Sequence, residues 1–447
     1  MEEKTVTFVN WLRNSITAKM LVVGFLLLVL LIPLLFVQNL IVERAHRQKE
    51  VVDEINEKWG NEIVLSGPIL QIPYKSFKEN RIYSSDGKYT TTQETVINKA
   101  YFFPEFLEIN ANAVTKPLHR SIFESVVFKA DIQVKGSFPV IDFSETEILP
   151  ENVLWDKVII LVKTSNLKGI RNTLKVNFGP KQLNMLPRYA DEYLNTLESK
   201  PITDFSEFKN TPVSFSFDMN VNGSDALKFI PIGKETIAHM KSNWDSPSFI
   251  GEFLPEDGSR EIDKNGFKAS WKILQINRQF EQSFFGDLPD LTKFAFGTQL
   301  IVAVDEYQKS ERVAKYGFLV IGLTFLVFFL IQLISKVYIH PFQYVMVGLA
   351  LVMFYTLLIS ISEHSSFFKA YIIAGLSVLG LITLYSRSIL KGIKFPMLIC
   401  ISLATLYSYI FIIIQLENYA LITGSIGLFL ILATIMFVSK KIDWQKE

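Results

Sequence analysis

The residues able to carry chemistry are few and scattered. The 447-residue chain has five histidines, His46, His119, His239, His340 and His364, and one cysteine, Cys400. No two histidines stand three or four residues apart, the spacing that lets one helix face present two imidazoles to a metal. His340 and His364 bracket one apolar run and lie about 36 Å apart along a helix, too far to share an ion. A lone cysteine excludes an intramolecular disulfide and any multi-cysteine metal site. The G-x-S-x-G, H-E-x-x-H, Walker A and G-x-G-x-x-G patterns are absent. The expectation is therefore a chain with no cofactor, no metal and no catalytic centre, hence not an enzyme. A hydrolase whose acid, base and nucleophile are dispersed would leave no such mark and stays open as an alternative.

Other polar and aromatic residues carry two readings each. Ser360-Ile361-Ser362-Glu363-His364 is either a polar helix end among lipid headgroups or a carboxylate–imidazole pair at the mouth of a cavity. In such a pair, small shifts move the histidine across neutral pH. Gln332 is either an interhelical or snorkelling amide or a functional group, since polar side chains are costly in lipid. Trp244 and Phe249 belong to a stretch dense in Pro and aromatics, Lys241–Phe249, comparable to Ser66–Leu70 and Gly251–Pro255. Those stretches read as structural turns with core aromatics, or as a binding groove. Glu417 reads as a loop charge.

The elements that position these residues follow from hydropathy. The chain is 49% hydrophobic with a formal net charge of +1 and a mean hydropathy of +0.27. That excludes a disordered chain and gives no support to a nucleic-acid partner, which calls for a basic excess. Met20–Val37 has no polar side chain, and Tyr316–Ile334, Phe342–Ile361, Ala370–Ser386, Phe395–Leu416 and Tyr419–Ser439 are similar runs. A bilayer core of about 30 Å needs roughly 20 helical residues, so six transmembrane helices are predicted. Pro33 in the first is tolerated in lipid. The first run is too long for a signal peptide and lacks a small-residue cleavage site, so it reads as a retained anchor.

Lys and Arg of the short loops mark the cytoplasmic side. With the N-terminus inside, the inner segments hold Lys4, Arg13, Lys19, Lys336, Arg387, Lys391, Lys394, Lys440, Lys441 and Lys446, and the outer short loops only Lys369. Both termini are expected to be cytoplasmic. The domains are then 1–42 (N-terminus and first helix), 43–311 (a periplasmic domain), 312–439 (a five-helix bundle) and 440–447 (a tail). The domain 43–311 has 38 acidic and 32 basic residues, a net of −6, leaving +7 for the rest.

Within that domain Ile41–Trp59 continues the first helix until Gly60 stops it. Period-two alternation follows: Val213–Val221, Phe128–Phe138 and Phe267–Ile273, with Leu174–Phe178, Val158–Val162 and Leu300–Val304 as further strands. Asn222-Gly223 after the first of these predicts a hairpin to Leu227–Phe229. Alternating strands leave one face wet, so a mainly antiparallel sandwich or barrel-like domain is expected, inserted between transmembrane helices 1 and 2.

At this point the chain resembles the CreD family of bacterial inner-membrane proteins. The resemblance is carried, in order, by Ile41-Val42-Glu43-Arg44, Ser66–Leu70, Arg120–Glu124, Ser242-Asn243-Trp244, Pro247-Ser248-Phe249, Gly251–Pro255 and Gly266-Phe267. In the membrane part it continues through Lys315-Tyr316, Leu323-Thr324-Phe325, His340-Pro341, Val347-Gly348-Leu349, Phe354-Tyr355 and Ser362-Glu363-His364. It implies an inner-membrane protein linked to cell-envelope integrity, often under a sensor-kinase system, and brings no settled activity. Many relatives place a Glu where this chain has Gln332. The leading expectation is a non-enzymatic envelope protein whose partners are the bilayer and an envelope protein or component. A transporter or channel subunit is the alternative from another class, weakened by the lack of ionisable residues at mid-span.

Overall fold

The computed structural model describes residues 15–83, 89–144, 146–188, 194–300, 306–390, 392–416 and 419–440. Seven α-helices are described: α1 Ile16–Trp59, α2 Glu306–Lys315, α3 Gly317–Ser335, α4 Pro341–Ser362, α5 Phe367–Ile389, α6 Lys394–Gln415 and α7 Ala420–Ser439. All but α2 are long and apolar enough to cross a bilayer, one near the N-terminus and five in the C-terminal part. Contacts divide the chain into two compact units, residues 51–303 and residues up to 50 together with those from 304 onward.

In the helical unit α1 buries a narrow stripe, Leu30, Leu34, Val37 and Ile41. These positions recur every three or four residues, which places them on one helix face. The stripe meets glycines: an added Cβ at Gly317 of α3 would lie 2.7 Å from Leu34, and one at Gly348 of α4 would lie 2.1 Å from Leu30. Lipid offers no hydrophobic drive for helix association, so close packing at small residues supplies it. Outward-facing Phe25, Phe36, Leu384, Phe429 and Phe437 stay exposed, as a surface solvated by acyl chains requires.

The other unit is a sheet domain. Its described strands are β1 Ile63–Tyr83, β2 Tyr89–Phe102, β3 Phe106–Arg120, β4 Phe123–Phe138, β5 Ile159–Thr164, β6 Lys175–Phe178, β7 Lys181–Arg188 and β8 Asn195–Ser199. They continue with β9 Val213–Ser224, β10 Ala226–Phe229, β11 Glu235–Ser242, β12 Ser248–Gly251, β13 Glu261–Asp263, β14 Gly266–Leu274, β15 Ser283–Phe285 and β16 Phe296–Gln299. The hydrogen-bonded order is β12-β16-β10-β1-β5-β8-β7-β6-β9-β4-β3-β11-β14-β13, with β2 on β1 and β15 on β2. Pairing is antiparallel except at β1–β10 and β3–β11. The predicted mainly antiparallel domain is thus observed, with two parallel contacts added. Strand β7 turns the ribbon, since Lys181–Asn184 pair with β6 and Met185–Arg188 with β8.

The alternation of β9 is realised as expected. Val213, Phe215, Phe217, Met219 and Val221 point inward, and Phe217 and Met219 stand opposite Val134 and Ile132 of β4. The apolar cluster is dense in rings; Phe103, Phe128, Phe138, Phe178, Phe205, Phe229, Trp271 and Phe296 are fully buried. Each aromatic side chain removes about 150–250 Å² from water, and this is where much of the phenylalanine content goes. Arg278 is also buried, with no carboxylate beside it among the described contacts. Its guanidinium donates to the carbonyls of Phe280 (3.0 Å), Ile232 and Gly233 (3.3 Å each) and to Gln282, and lies 3.9 Å from the Phe280 ring centroid. Burial pulls its pKa down to about 10, so the charge persists at neutral pH, held by carbonyl dipoles.

Helix α1 ends where predicted. Gly60 takes φ +144 and its N–H, like that of Asn61, donates to the carbonyl of Asn56. The last turns of α1 are fastened to the β3–β4 hairpin by Trp59 Nε1 donating to the Phe128 carbonyl (3.2 Å) and Ser125 Oγ donating to Asn56 Oδ1 (2.7 Å). Glu54 adds ion pairs with Arg120 and with Lys58, the latter at 2.6 Å.

The expected hairpin at Asn222-Gly223 is not formed. The β4–β9 ladder runs on through Lys129–Asn222, Phe128–Gly223 and Val127–Ser224. The chain bends one residue later, at Asp225 with φ +64, and Leu227–Phe229 pairs with β1 and β16 instead. Glycine is required at 223 for space: a Cβ there would sit 2.4 Å from the Phe128 ring and 2.7 Å from Ile63. Of the strand expected at Leu300–Val304, Leu300 follows the end of β16 and residues 301–304 lie outside the described residues.

Two outcomes test this account. Gly223→Ala overpacks the strand and should cost about 1–3 kcal/mol, read as a lowered thermal midpoint of the full-length protein in detergent; an unchanged midpoint would restore the turn. The second concerns acid. Hydrogen bonds from Arg120, then from Lys58, hold the exposed Glu54 carboxyl down to about 2 from its ordinary 4.5. A depressed folded pKa stabilises fully above the ordinary value and is lost as pH falls through the folded one. The midpoint should therefore drop between pH 4.5 and 2, and Glu54→Gln should flatten that limb.

Candidate functional site

Glu363 follows the last turn of α4 and is the best-connected of the residues singled out by sequence. Its backbone N–H donates to the Ile359 carbonyl at 3.2 Å, and its side chain is only 15% exposed. Tyr307 Oη of α2 donates to Glu363 Oε1 at 3.3 Å, and Arg44 Nε of α1 lies 3.7 Å from the same oxygen. Three helices thus converge on one carboxylate. Tyr307 was not singled out in the sequence, and Arg44 entered only within the Ile41–Arg44 motif that carries the resemblance. Arg44 is 319 positions away, and only its place just beyond an apolar run hinted at it.

The neighbouring His364 is exposed, and no hydrogen bond joins its ring to Glu363 among the described residues. His340 sits at the opposite end of α4 and caps it. Its Nδ1 accepts from the Phe342 N–H at 3.2 Å, and its own N–H donates to Gln343 Oε1 at 2.8 Å. This reciprocal capping satisfies two otherwise orphaned donors. Pro341 at the first helical position completes the helix start. The structure does not bring His340 and His364 together.

Gln332 is buried near the end of α3. Its Oε1 accepts from Tyr344 Oη of α4 at 2.9 Å, and the Tyr344 ring meets Phe325 edge-on at 5.3 Å. The amide is an interhelical tie. Deeper in the bundle Phe354 and Tyr355 of α4, Tyr371 of α5 and Tyr407 of α6 form a ring cluster, with Phe354 4.6 Å from Tyr407 and 5.3 Å from Tyr371. Tyr371 Oη donates to the Tyr407 carbonyl at 2.8 Å, while the hydroxyls of Tyr355 and Tyr407 are buried with no hydrogen-bond partner among the described residues.

A cleft of about 420 Å³ lies between α3, α6 and α7, walled by Leu323, Leu330, Leu403, Leu430 and others. Its threonine hydroxyls turn back onto their own helices, Thr324 donating to Val320, Thr405 to Ile401 and Thr434 to Leu430, while Tyr409 Oη of α6 donates across to the Gly424 carbonyl of α7 at 2.7 Å. Glu363 is not part of its wall. Among the described residues no group of three or more His, Cys, Asp or Glu is placed to hold a metal ion.

In the sheet domain Phe249 lies in β12 rather than a loop. Its ring meets Phe267 at 5.8 Å and Trp271 at 5.9 Å, edge-on to both. Trp244 is partly buried against the same core, its Nε1 donating to the Ser246 carbonyl at 3.1 Å. Both are packed aromatics at the margin of the core.

Comparison with known proteins places this architecture. The sequence model of the family described as "Inner membrane protein CreD" matches residues 15–445. The chain is similar to inner membrane protein CreD of Escherichia coli, with 29% identity over 435 residues, covering 97% of this chain and 94% of that protein. With six apolar helices, a sheet domain after the first of them and a family match over nearly its whole length, the chain belongs to the CreD family of inner membrane proteins.

Proposed function

We propose that the chain is a non-enzymatic inner-membrane protein that supports cell-envelope integrity, both termini in the cytoplasm and the sheet domain on the outer face, where it engages an envelope component or partner protein. The observation that carries this reading over transport is the engagement of Glu363 by Arg44 and Tyr307. A carboxylate already tied to a cation and a donor on two other helices fastens the bundle instead of lining a path. Gln332 is likewise spent on Tyr344, and the lateral cleft is walled by apolar side chains that suit acyl chains better than ions. The orientation rests on the basic residues of the short loops, Lys336, Arg387, Lys394 and Lys440 on one side and Lys369 on the other.

Orientation is read by cysteine labelling in a Cys400→Ser background. Asp257→Cys, in the sheet domain, should react with an impermeant maleimide in spheroplasts, and Lys440→Cys only after lysis. The reverse pattern would sink the orientation. Engagement is read by photocrosslinking the full-length protein in native envelopes. A discrete adduct through the sheet domain is expected, and its absence would remove this reading. For the bundle, Gln332→Leu strands the Tyr344 hydroxyl and should cost roughly 0.6–2 kcal/mol in a detergent melt, with Tyr344→Phe relieving most of the loss in the double variant.

A further inference from the structure

The cleft of about 420 Å³ in the helical unit is walled by α3 and α7, with α6 between them. That volume lies within the range of about 300–1,000 Å³ that ligand sites occupy. Along α6 its wall runs from Ile399 to Tyr409, ten residues and so about 15 Å. A bilayer core is about 30 Å thick, so this is the depth of one leaflet. One end of the cleft is closed. Tyr409 Oη donates to the Gly424 carbonyl at 2.7 Å, and a Cβ at Gly427 would lie 2.2 Å from the Tyr409 ring. Away from this tie the cleft lies between α7 and α3, and none of the apolar span Leu421–Ser439 is buried.

The other end leads to charge. Successive spans reverse direction, so the end of α3, the start of α6 and the end of α7 share one side of the bundle. Each carries a lysine there: Lys336, Lys394 and Lys440. They stand five or six residues beyond the last wall residues, Leu330, Ile399 and Ile435, about 7–9 Å along the helix axes. A headgroup layer is about 5–8 Å deep on each side of the core, so the lysines lie at headgroup depth. All three are exposed. Lys336 and Lys394 have no hydrogen-bond or ion-pair partner among the described residues, and Lys440 lies 5.5 Å from the centroid of the exposed Phe437 ring. The described residues on this side also include Lys19 and Arg387 and no Asp or Glu. Basic ends orient membrane proteins by themselves, which accounts for the charge but not for a groove that runs down to three of the lysines. The wall offers little to a polar solute. Its threonines and Tyr409 are already bonded, and Ser402 is the one wall hydroxyl with no partner among the described residues. A polar solute leaving water needs replacement hydrogen bonds; an acyl chain needs none.

We propose that the cleft binds one anionic phospholipid from the leaflet on the lysine side. An acyl chain lies in the groove as far as Tyr409, and the negatively charged headgroup meets Lys336, Lys394 and Lys440. The chain fills the space between α7 and α3 and so fastens to the bundle a span that buries nothing of its own. This goes beyond the function proposed above and holds for either orientation of the protein in its membrane.

Native mass spectrometry of the full-length protein, stripped of lipid in detergent, tests it with dioleoylphosphatidylglycerol, dioleoylphosphatidylcholine and inorganic phosphate as probes. Tight retention of a single phosphatidylglycerol is expected. Phosphatidylcholine has the same chains and no net charge, and should be held at least tenfold more weakly; phosphate should not be retained. Lys336→Gln/Lys394→Gln/Lys440→Gln should bring phosphatidylglycerol to the phosphatidylcholine level. Lys19→Gln/Arg387→Gln removes two cations from the same side on helices outside the cleft, and should leave retention unchanged. Val327→Trp fills the cleft with every charge in place, and should weaken both lipids severalfold. If the triple variant does not fold, the comparison of lipids on the wild type and the Val327→Trp arm, taken with an unshifted melt, still decide. Equal retention of the two lipids, retention of neither, or phosphate binding as tightly as phosphatidylglycerol would overturn the proposal. So would a loss in the Lys19/Arg387 variant as large as in the triple variant, or wild-type retention by Val327→Trp.

Discussion

The helical unit depends on how closely α1 can approach its neighbours. The first span is separated from the others in sequence by the whole sheet domain, so local chain connectivity does not hold it in place. It is held where Leu30 and Leu34 fit the notches at Gly348 and Gly317, with Gln38 Nε2 donating to the Ala314 carbonyl at 2.9 Å. In lipid such packing has no hydrophobic term behind it, and shape carries the association. The same approach brings Arg44, three turns further along α1, to the end of α4. The carboxylate latch at Glu363 follows from the leucine–glycine fit below it.

The polar chemistry of the bundle is economical. The amide of Gln332, the ring of His340 and the hydroxyls of Thr324 and Ser386 all bond within the helices that carry them or to the next helix. Among the described residues Tyr355 and Tyr407 differ, buried among rings with hydroxyls that have no hydrogen-bond partner there. Their aromatic contacts with Phe354 and Tyr371 hold the middle of α4, α5 and α6 together, and the hydroxyl of Tyr371 adds the cross-helix bond that theirs lack.

What could be read in advance divides along the range of the interaction. Each apolar run and each alternating strand is a local pattern, so the spans matched α3 to α7 within a few residues and β4, β9 and β14 were recognisable. Partners were not. Nothing in Asn222-Gly223 tells that the glycine answers to the ring of Phe128, nearly a hundred residues earlier, and not to a turn of its own. Asn-Gly marks turns because both residues tolerate positive φ, and at this site the demand was for volume. The same holds for the sites. Glu363 stood out as a charge at the end of an apolar run, but Arg44 and Tyr307 come from distant helices.

The parallel pairing of β1 with β10 has a consequence for how the sheet domain can be made. Ile63–Leu65 lies beside Leu227–Phe229, and the next strand over is β16, the last of the described strands. The first and last strands thus flank one central strand, about 10 Å apart. A domain whose ends meet can sit in a loop between two helices without stretching either, which is how insertions are accommodated. It also folds late. Strand β1 waits with an unpaired edge until β10 ends at residue 229, and β10 in turn waits for β16 until residue 299. Contacts this remote in sequence slow folding. Exposed edges invite wrong partners, and an incompletely made sheet is the stage at which this chain is most vulnerable to aggregation.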